Sequence, residues 1–307
     1  MRFGLALPLG RIEPRGEFQS AEAVREIARA VERAGVSGAC LSDHPAPDAD
    51  WLHHDPAAHD ALDPLTALAF VAAATQRLAV FTNVLVLPYR NPFLTAKAAA
   101  TLQVLSDNRL ILGVGAGYQK AELEALGASF QKRGALTDEA LETIRLAWRG
   151  GPVVRQAAHF NAVGNEPRPV PAPPPPIWIG GSSDKALQRA ARWGDGWIPH
   201  FSVPTNDPVV MQSSMVSMEQ FAAKLARLQS ARRQLGCTGS FDIAPGSPFR
   251  PKTATRSDAE QFLEAARKVQ ACGANWIWTP LPAPSRAAFL ENVAWFGAEV
   301  IAAFEAY

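Results

Sequence analysis

The sequence predicts a (β/α)8 TIM barrel with insertion segments. Strand and helix patterns alternate eight times along the 307 residues. Each candidate strand is short and apolar on both faces, as parallel strands covered by helices must be. A helical pattern closes the chain after the eighth strand, which favours a closed barrel over an open sheet. The whole of 1–307 therefore reads as one domain. An irregular insertion at about 150–176 and an extra helical segment at about 202–240 exceed the minimal barrel.

The elements follow in order. Residues 2–8, "RFGLALP", form an apolar run stopped by Pro8, and Ser20 caps a helix whose Val24, Ile27, Ala28, Val31 and Ala34 share one face before Gly35. "GACLSD" (38–43) is the second strand, and Pro64 opens a helix over 63–75 at a first-turn position. "LAVFTNVLVLP" (78–88) is the third strand, followed by a helix over 92–106. "LILGVGAG" (110–117) is the fourth, with helical patterns at about 120–127 and 137–149. The Gly- and Pro-rich stretch 150–176 reads as an irregular excursion with short extended pieces, its "PAPPPP" a rigid approach to the next strand rather than a polyproline recognition site. "IWIGG" (177–181) and a helix over 183–192 follow, then "GWIPHF" (196–201) and a long polar helix over about 207–236. "FDIAPGSP" (241–248) precedes a helix over 257–271, and "ANWIWTPLP" (274–282) precedes the closing helix over 285–304.

Composition excludes several classes. Apolar residues make up 48%, charged residues 19%, and the net charge is +1, so no nucleic acid or anionic membrane is expected as a partner. Cys40, Cys237 and Cys272 form no CxxC pair, which argues against a disulfide framework or a zinc site. No signal peptide or 18-residue apolar run is read, so the expectation is a cytoplasmic protein acting on a small-molecule substrate. His53, His54, Asp55 and His59 lack ligand spacing and read as a solvated loop, so no metal is expected. Met211, Met215 and Met218 read as helix packing, and Arg232-Arg233 as a solvated face.

Barrel enzymes place their chemistry at the C-terminal ends of the strands, and that rule selects the candidates. Asp43 and His44 end the second strand; the histidine can move a proton or hydrogen-bond a ring carbonyl. Neighbours on a strand point to opposite faces, so Asp43 holds the histidine's tautomer only if the strand has already ended. Thr82 and Asn83 are polar groups in a buried run and need partners, either a ligand or an adjacent strand. "GVGAGY", Gly113 to Tyr118, lacks the GxGxxG order and the later acidic residue of a dinucleotide fingerprint. Its alternate glycines either admit a flat ring or accept close packing by another barrel element. In "IWIGGSSDKAL" a strand, Gly180-Gly181, Ser182-Ser183 and a helix follow in turn, which places free amides and hydroxyls at a helix N-terminus, a phosphate-type site. Ordinary helix capping by either serine is the alternative. Pro8, His200 and the 279–282 region complete the rim.

These motifs together resemble the bacterial luciferase-like superfamily, and within it the coenzyme F420-dependent oxidoreductases. The resemblance rests on "SDHP", on the run from "LDPLTALAF" through "LILGVGAGY", on "ELEALGASFQKRGALTDEALE", and on "PPIWIGGSSDKALQRAARWGDGW"; it spans most of residues 40–198, and "FGLALP" fits at the N-terminus. It implies a barrel, a homodimer, and a flavin-type ring across the C-terminal mouth. It implies catalytic roles for Asp43 and His44 and a non-prolyl cis peptide at Asn83-Val84 behind the ring. It places Thr82, Gly115, Ala116, Gly117 and Tyr118 near the cofactor, and Gly180, Gly181, Ser182 and Ser183 at its phosphate. The cofactor implied is coenzyme F420, with FMN and a luciferase-like monooxygenase as the alternative and a non-catalytic flavin-binding relative as a third reading. Two positions depart from the sugar-phosphate dehydrogenases of that branch: Tyr118 stands where they carry Glu, and Asp48 where they carry Trp. Both departures argue against sugar-phosphate oxidation.

Overall fold

The computed structural model describes residues 1–10, 15–54, 61–201 and 214–306. Eight parallel strands form the barrel: β1 (Arg2–Ala6), β2 (Gly38–Leu41), β3 (Ala79–Thr82), β4 (Leu110–Gly115), β5 (Ile177–Gly180), β6 (Gly196–Ile198), β7 (Asp242–Ile243) and β8 (Trp276–Pro280). Each of β1 to β6 pairs with the next, and β1 pairs with β8. Only β7 and β8 lack a regular ladder. They meet through a Gly246–Trp278 bridge, with the Trp278 amide donating to Pro245 O at 3.1 Å and the Ser247 amide to Trp278 O at 2.8 Å.

Eight principal helices cover the barrel: α1 (Ala21–Arg33), α2 (Pro64–Ala74), α3 (Pro92–Leu105), α4 (Arg133–Ala147), α5 (Asp184–Trp193), α6 (Met218–Gln234), α7 (Arg256–Ala271) and α8 (Arg286–Trp295). Their starts are chemically marked. Ser20, Asp63, Asn91, Ser183, Ser217, Thr255 and Ser285 each accept an amide of the first turn, and Pro64 and Pro92 sit where no amide is needed.

Several expectations are corrected. The described polar helix begins at Met218, after the non-helical residues 214–217; the start of the expected 207–236 span, with Met211, lies outside the described residues. The third strand is not continuous to residue 88. It stops at Thr82, turns at a cis Asn83-Val84 peptide, and resumes as Leu85–Val86, which pairs with Val114 and Gly115 of β4. The insertion contains an antiparallel hairpin, Val153–Arg155 against Ala162–Asn165. His53 and His54 end a short helix, Ala49–His54, while Asp55 and His59 lie outside the described residues. The closing helix continues past Trp295 through a wider π turn to Glu305. One 18-residue window of this helix has a mean hydropathy of 1.3, long and apolar enough by length and composition to cross a membrane, a test that the core helix of a barrel also passes. In the structure it seats Phe289, Val293, Phe296, Val300 and Ile301 in the core.

The barrel interior is plugged by aromatics. Phe81, Trp178, Trp276 and Trp278 pack with Cys40, Ile111, Ile198 and Ala244, the Trp178 and Trp276 rings meeting edge to face at 5.2 Å. Burial pushes the Cys40 thiol up to about 12, so it behaves as a small apolar group. Bulky indoles fit because neighbouring strands present glycines. A Cβ at Gly196 would lie 2.3 Å from Trp178, and one at Gly38 would lie 3.1 Å from Trp276. Gly196→Ala is therefore expected to destabilise by at least about 1–3 kcal/mol, the cost of overpacking a filled core, and Gly38→Ala by less. Gly16→Ala, with nothing within 4 Å of the added methyl, is the neutral control, and denaturant midpoints give the ranking.

Candidate active site

The segment that follows β2 is latched to the segment that follows β4 by one buried carboxylate. Glu122, on the short helix Lys120–Ala125, is fully buried. Its Oε2 lies 3.0 Å from His44 Nδ1 and accepts the Tyr89 hydroxyl at 2.6 Å, and its Oε1 accepts the Ala46 amide at 3.0 Å. A second clasp lies beside it, where Gln119 Oε1 accepts the Asp48 amide at 3.3 Å. Burial alone would raise the Glu122 pKa, but the bonds from His44, Tyr89 and Ala46 outweigh it and hold the carboxyl below its usual range. Burial and the carboxylates of Glu122 and Asp43 push the Tyr89 phenol upward.

An ionised carboxylate only accepts hydrogen bonds. Nδ1 of His44 must therefore carry the proton that bridges to Glu122, and in the neutral ring Nε2 keeps the lone pair. The imidazole is held between two aromatics. Trp51 lies 5.0 Å away and tilted by 33°, and Tyr118 meets it edge-on at 5.9 Å. Asp48 caps the helix that carries Trp51, its Oδ1 accepting the Trp51 amide at 3.0 Å. A tryptophan thus reaches the histidine from three residues beyond Asp48, the position at which the sequence comparison found one missing.

Asp43 does not hold the His44 tautomer. It is 2% exposed and turned the other way. Its Oδ2 accepts the Val86 amide at 2.9 Å, and it forms a two-pronged ion pair with Arg90, whose Nη2 donates to Oδ1 at 2.8 Å. Arg90 also reaches Asp63 at 3.3 Å, which ties the end of β2 to the start of α2. Asp43 is a positioning residue for the Leu85–Val86 segment. The sequence analysis missed Glu122, Tyr89 and Arg90 because "KAELEALG" and "LPYRNP" read as an amphipathic helix and a loop.

Thr82 is likewise turned inward: fully buried, it donates its hydroxyl to Gly113 O at 2.6 Å, so its partner is the adjacent strand. Nor do the alternate glycines leave an open slot. A Cβ at Gly115 would lie 2.7 Å from Val84 Cγ2, and one at Gly180 would lie 2.6 Å from Val84 Cγ1. The Val84 side chain fills the space between those two strand ends. At Gly117, with φ +78°, the close neighbour is Val86 at 2.8 Å. The glycines are sockets for the bulge, and the half-buried Asn83, Val84, Ala116 and Tyr118 stay on the rim around it.

The turn after β5 keeps part of its expected character. Ser182 is buried; its Oγ accepts the His200 amide at 3.3 Å and its carbonyl accepts Lys224 Nζ at 2.6 Å. Ser183 caps α5 by accepting the Ala186 amide at 3.3 Å. Both hydroxyl oxygens are thus engaged with backbone. The Ser182 and Ser183 amides donate to nothing among the described residues, and Gly181 holds φ +93°, which disfavours a side chain. Backbone N–H groups at a helix start are a fitting donor set for a phosphate. No cluster of metal-ligating side chains occurs among the described residues.

Comparison with known proteins places this geometry in context. The family model described as luciferase-like monooxygenase matches residues 1–269. An F420-dependent glucose-6-phosphate dehydrogenase of Nocardia farcinica is 33% identical over 229 residues, which cover 72% of this chain and 65% of that one. Among solved structures, a monooxygenase, RslO1, from Streptomyces bottropensis superposes with a TM-score of 0.77 at 19% identity, covering 99% of this chain and 100% of its own. An F420-dependent secondary alcohol dehydrogenase in complex with an F420-acetone adduct gives a TM-score of 0.77 at 17% identity, covering 98% of each chain. At those identities the two structures share the fold.

Two substitutions separate the roles of the carboxylates. Asp43→Asn is expected to cost about 1.5–3 kcal/mol of stability through the weakened bonds to Arg90. Glu122→Gln is expected to flatten the acid limb of the stability profile. A carboxyl with a depressed folded pKa stabilises above its unfolded value of about 4.3, and that contribution is lost as pH falls through the folded value. Urea titrations at neutral and acidic pH should therefore show a smaller loss on acidification in the variant than in the wild type.

Proposed function

The chain belongs to the luciferase-like monooxygenase family and is an enzyme of that flavin- or deazaflavin-using class; we propose that it is a coenzyme F420-dependent oxidoreductase acting on a small organic substrate. The observation that carries this reading is the His44–Glu122 pair, a buried, oriented proton carrier at the C-terminal end of β2. The choice of F420 over FMN is supported by the names of relatives at 33% identity, which are F420-dependent.

The residues present fit such a cofactor. The Ser182 and Ser183 amides would bind its phosphate, and Gly181 would let it approach the backbone. Asn83 and Val84 would bear on the ring, with Val84 braced from behind by the Gly115 and Gly180 sockets. Bound there, the deazaflavin supplies or accepts the hydride. His44 moves the accompanying proton through Nε2, while Nδ1–H stays on Glu122. Tyr89 steadies that carboxylate, and Trp51 and Tyr118 flank the ring and limit water around it.

A homodimer is part of the proposal. Leu94 and Leu105 of α3, about three turns apart on one face, are 71% and 70% exposed, and Phe70 of α2 is 48% exposed. Such an apolar surface suits a second copy.

Fluorescence titration with F420 and with FMN, followed by turnover of reduced F420 against a panel of carbonyl compounds, tests the reading. F420 should bind and FMN should not. His44→Ala should retain F420 and lose about 100- to 10,000-fold in turnover, the usual worth of a positioned acid–base group. Binding of FMN alone, with oxygen consumption, would transfer the protein to the monooxygenases.

A further inference from the structure

One oxygen of Glu122 serves two donors at once. Oε2 lies 3.0 Å from His44 Nδ1 and accepts the Tyr89 hydroxyl at 2.6 Å. Oε1 is taken by the Ala46 amide at 3.0 Å. The two claims on Oε2 are unequal. The 2.6 Å separation falls in the range of about 2.5–2.7 Å for a hydroxyl bound to an ionised carboxylate. The 3.0 Å separation to His44 is that of an ordinary N–H donor, about 2.9–3.0 Å. Tyr89 therefore holds the stronger bond.

The chain that follows the Asn83-Val84 bulge delivers this hydroxyl. Tyr89 ends the short turn Leu87–Tyr89, and its neighbour Arg90 is clamped on Asp43. Burial first, and then the Glu122 carboxylate, push the phenol upward, so the hydroxyl keeps its proton and donates throughout the ordinary pH range. Of the other described groups beside the imidazole, Asp43 is turned to Arg90, Asp48 Oδ1 accepts the Trp51 amide, and Trp51 and Tyr118 pack against the ring.

Each donor draws electron density from the oxygen it binds, so two donors on one oxygen weaken each other. A sealed carboxylate that gave Oε2 to His44 alone would grip the Nδ1 proton and favour the charged ring, which would then part with a proton reluctantly. An acid–base group works best when its proton is held neither tightly nor loosely.

We propose that Tyr89 is a positioning residue that moderates the Glu122–His44 bond: it takes the larger share of Oε2, loosens the carboxylate's hold on the Nδ1 proton, and so keeps His44 able both to give and to take a proton at Nε2. This rests on the reading of His44 as the proton carrier. A hydroxyl that merely propped the carboxylate would act in the opposite sense, because its loss would slacken the His44 bond.

Proton NMR of the cofactor-free protein, labelled with nitrogen-15 histidine, reads the bridging proton itself, since a proton in a stronger hydrogen bond resonates further downfield. Tyr89→Phe should move the His44 Nδ1 proton downfield. Tyr89→3-fluorotyrosine, whose more acidic phenol is a stronger donor, should move it upfield. In both variants the Ala46 amide should stay protected from hydrogen exchange, which shows the carboxylate still in place. An unmoved or upfield resonance in Tyr89→Phe, shifts of one sign in both variants, or an Ala46 amide that loses protection would overturn the proposal. So would the absence of a His44 Nδ1 resonance in the wild type, because a proton sealed between His44 and Glu122 exchanges slowly. No cofactor enters these measurements. Unchanged turnover in His44→Ala would sink the proton-carrier reading while leaving the competition for Oε2 intact.

Discussion

A carboxylate sealed from water must find donors or give up its charge, and Glu122 finds three. His44, Tyr89 and the Ala46 amide converge on it from the segments after β2 and Leu85–Val86, while its own helix follows β4. That single group joins three loops at the barrel mouth. It also dictates chemistry, because an ionised acceptor leaves His44 one way to place its proton. Ring position, tautomer and loop closure are consequences of one buried charge.

The rim is built on the same logic of complementary parts. The bulge at Asn83-Val84 turns the β3 chain so that Val84 projects into the gap left by Gly115 and Gly180. Below it, Trp178 and Trp276 occupy space that Gly196 and Gly38 leave clear. The mouth thus stands on a closely packed aromatic floor, with the half-buried Asn83 and Tyr118 on the rim above it.

Much of this was legible in the sequence, for identifiable reasons. Apolar runs bounded by Ser, Asp, Asn and Pro caps marked the strand–helix alternation, and strand ends picked out Asp43, His44, Asn83 and the Gly180–Ser183 turn. The roles of individual groups were less legible. Asp43 beside His44 looked like a couple, yet their side chains diverge, one to Arg90 and one to Glu122. Gly115 and Gly180 announced missing side chains without saying what filled the space, because Val84 arrives from another strand. Glu122 carried no local mark at all: a glutamate in a charged helix is ordinarily solvated, and only the fold reveals that this one is enclosed.

The account stands or falls on the state of the His44 ring. Nitrogen-15 NMR of histidine-labelled protein near neutral pH, with His44 assigned by substitution, reads both ring nitrogens directly. In the neutral form of the ring, the Glu122 carboxylate predicts a protonated Nδ1 and a pyridine-type Nε2. A signal showing Nε2 protonated and Nδ1 bare would mean that the carboxylate does not orient the ring, and the proton route through Nε2 would be lost.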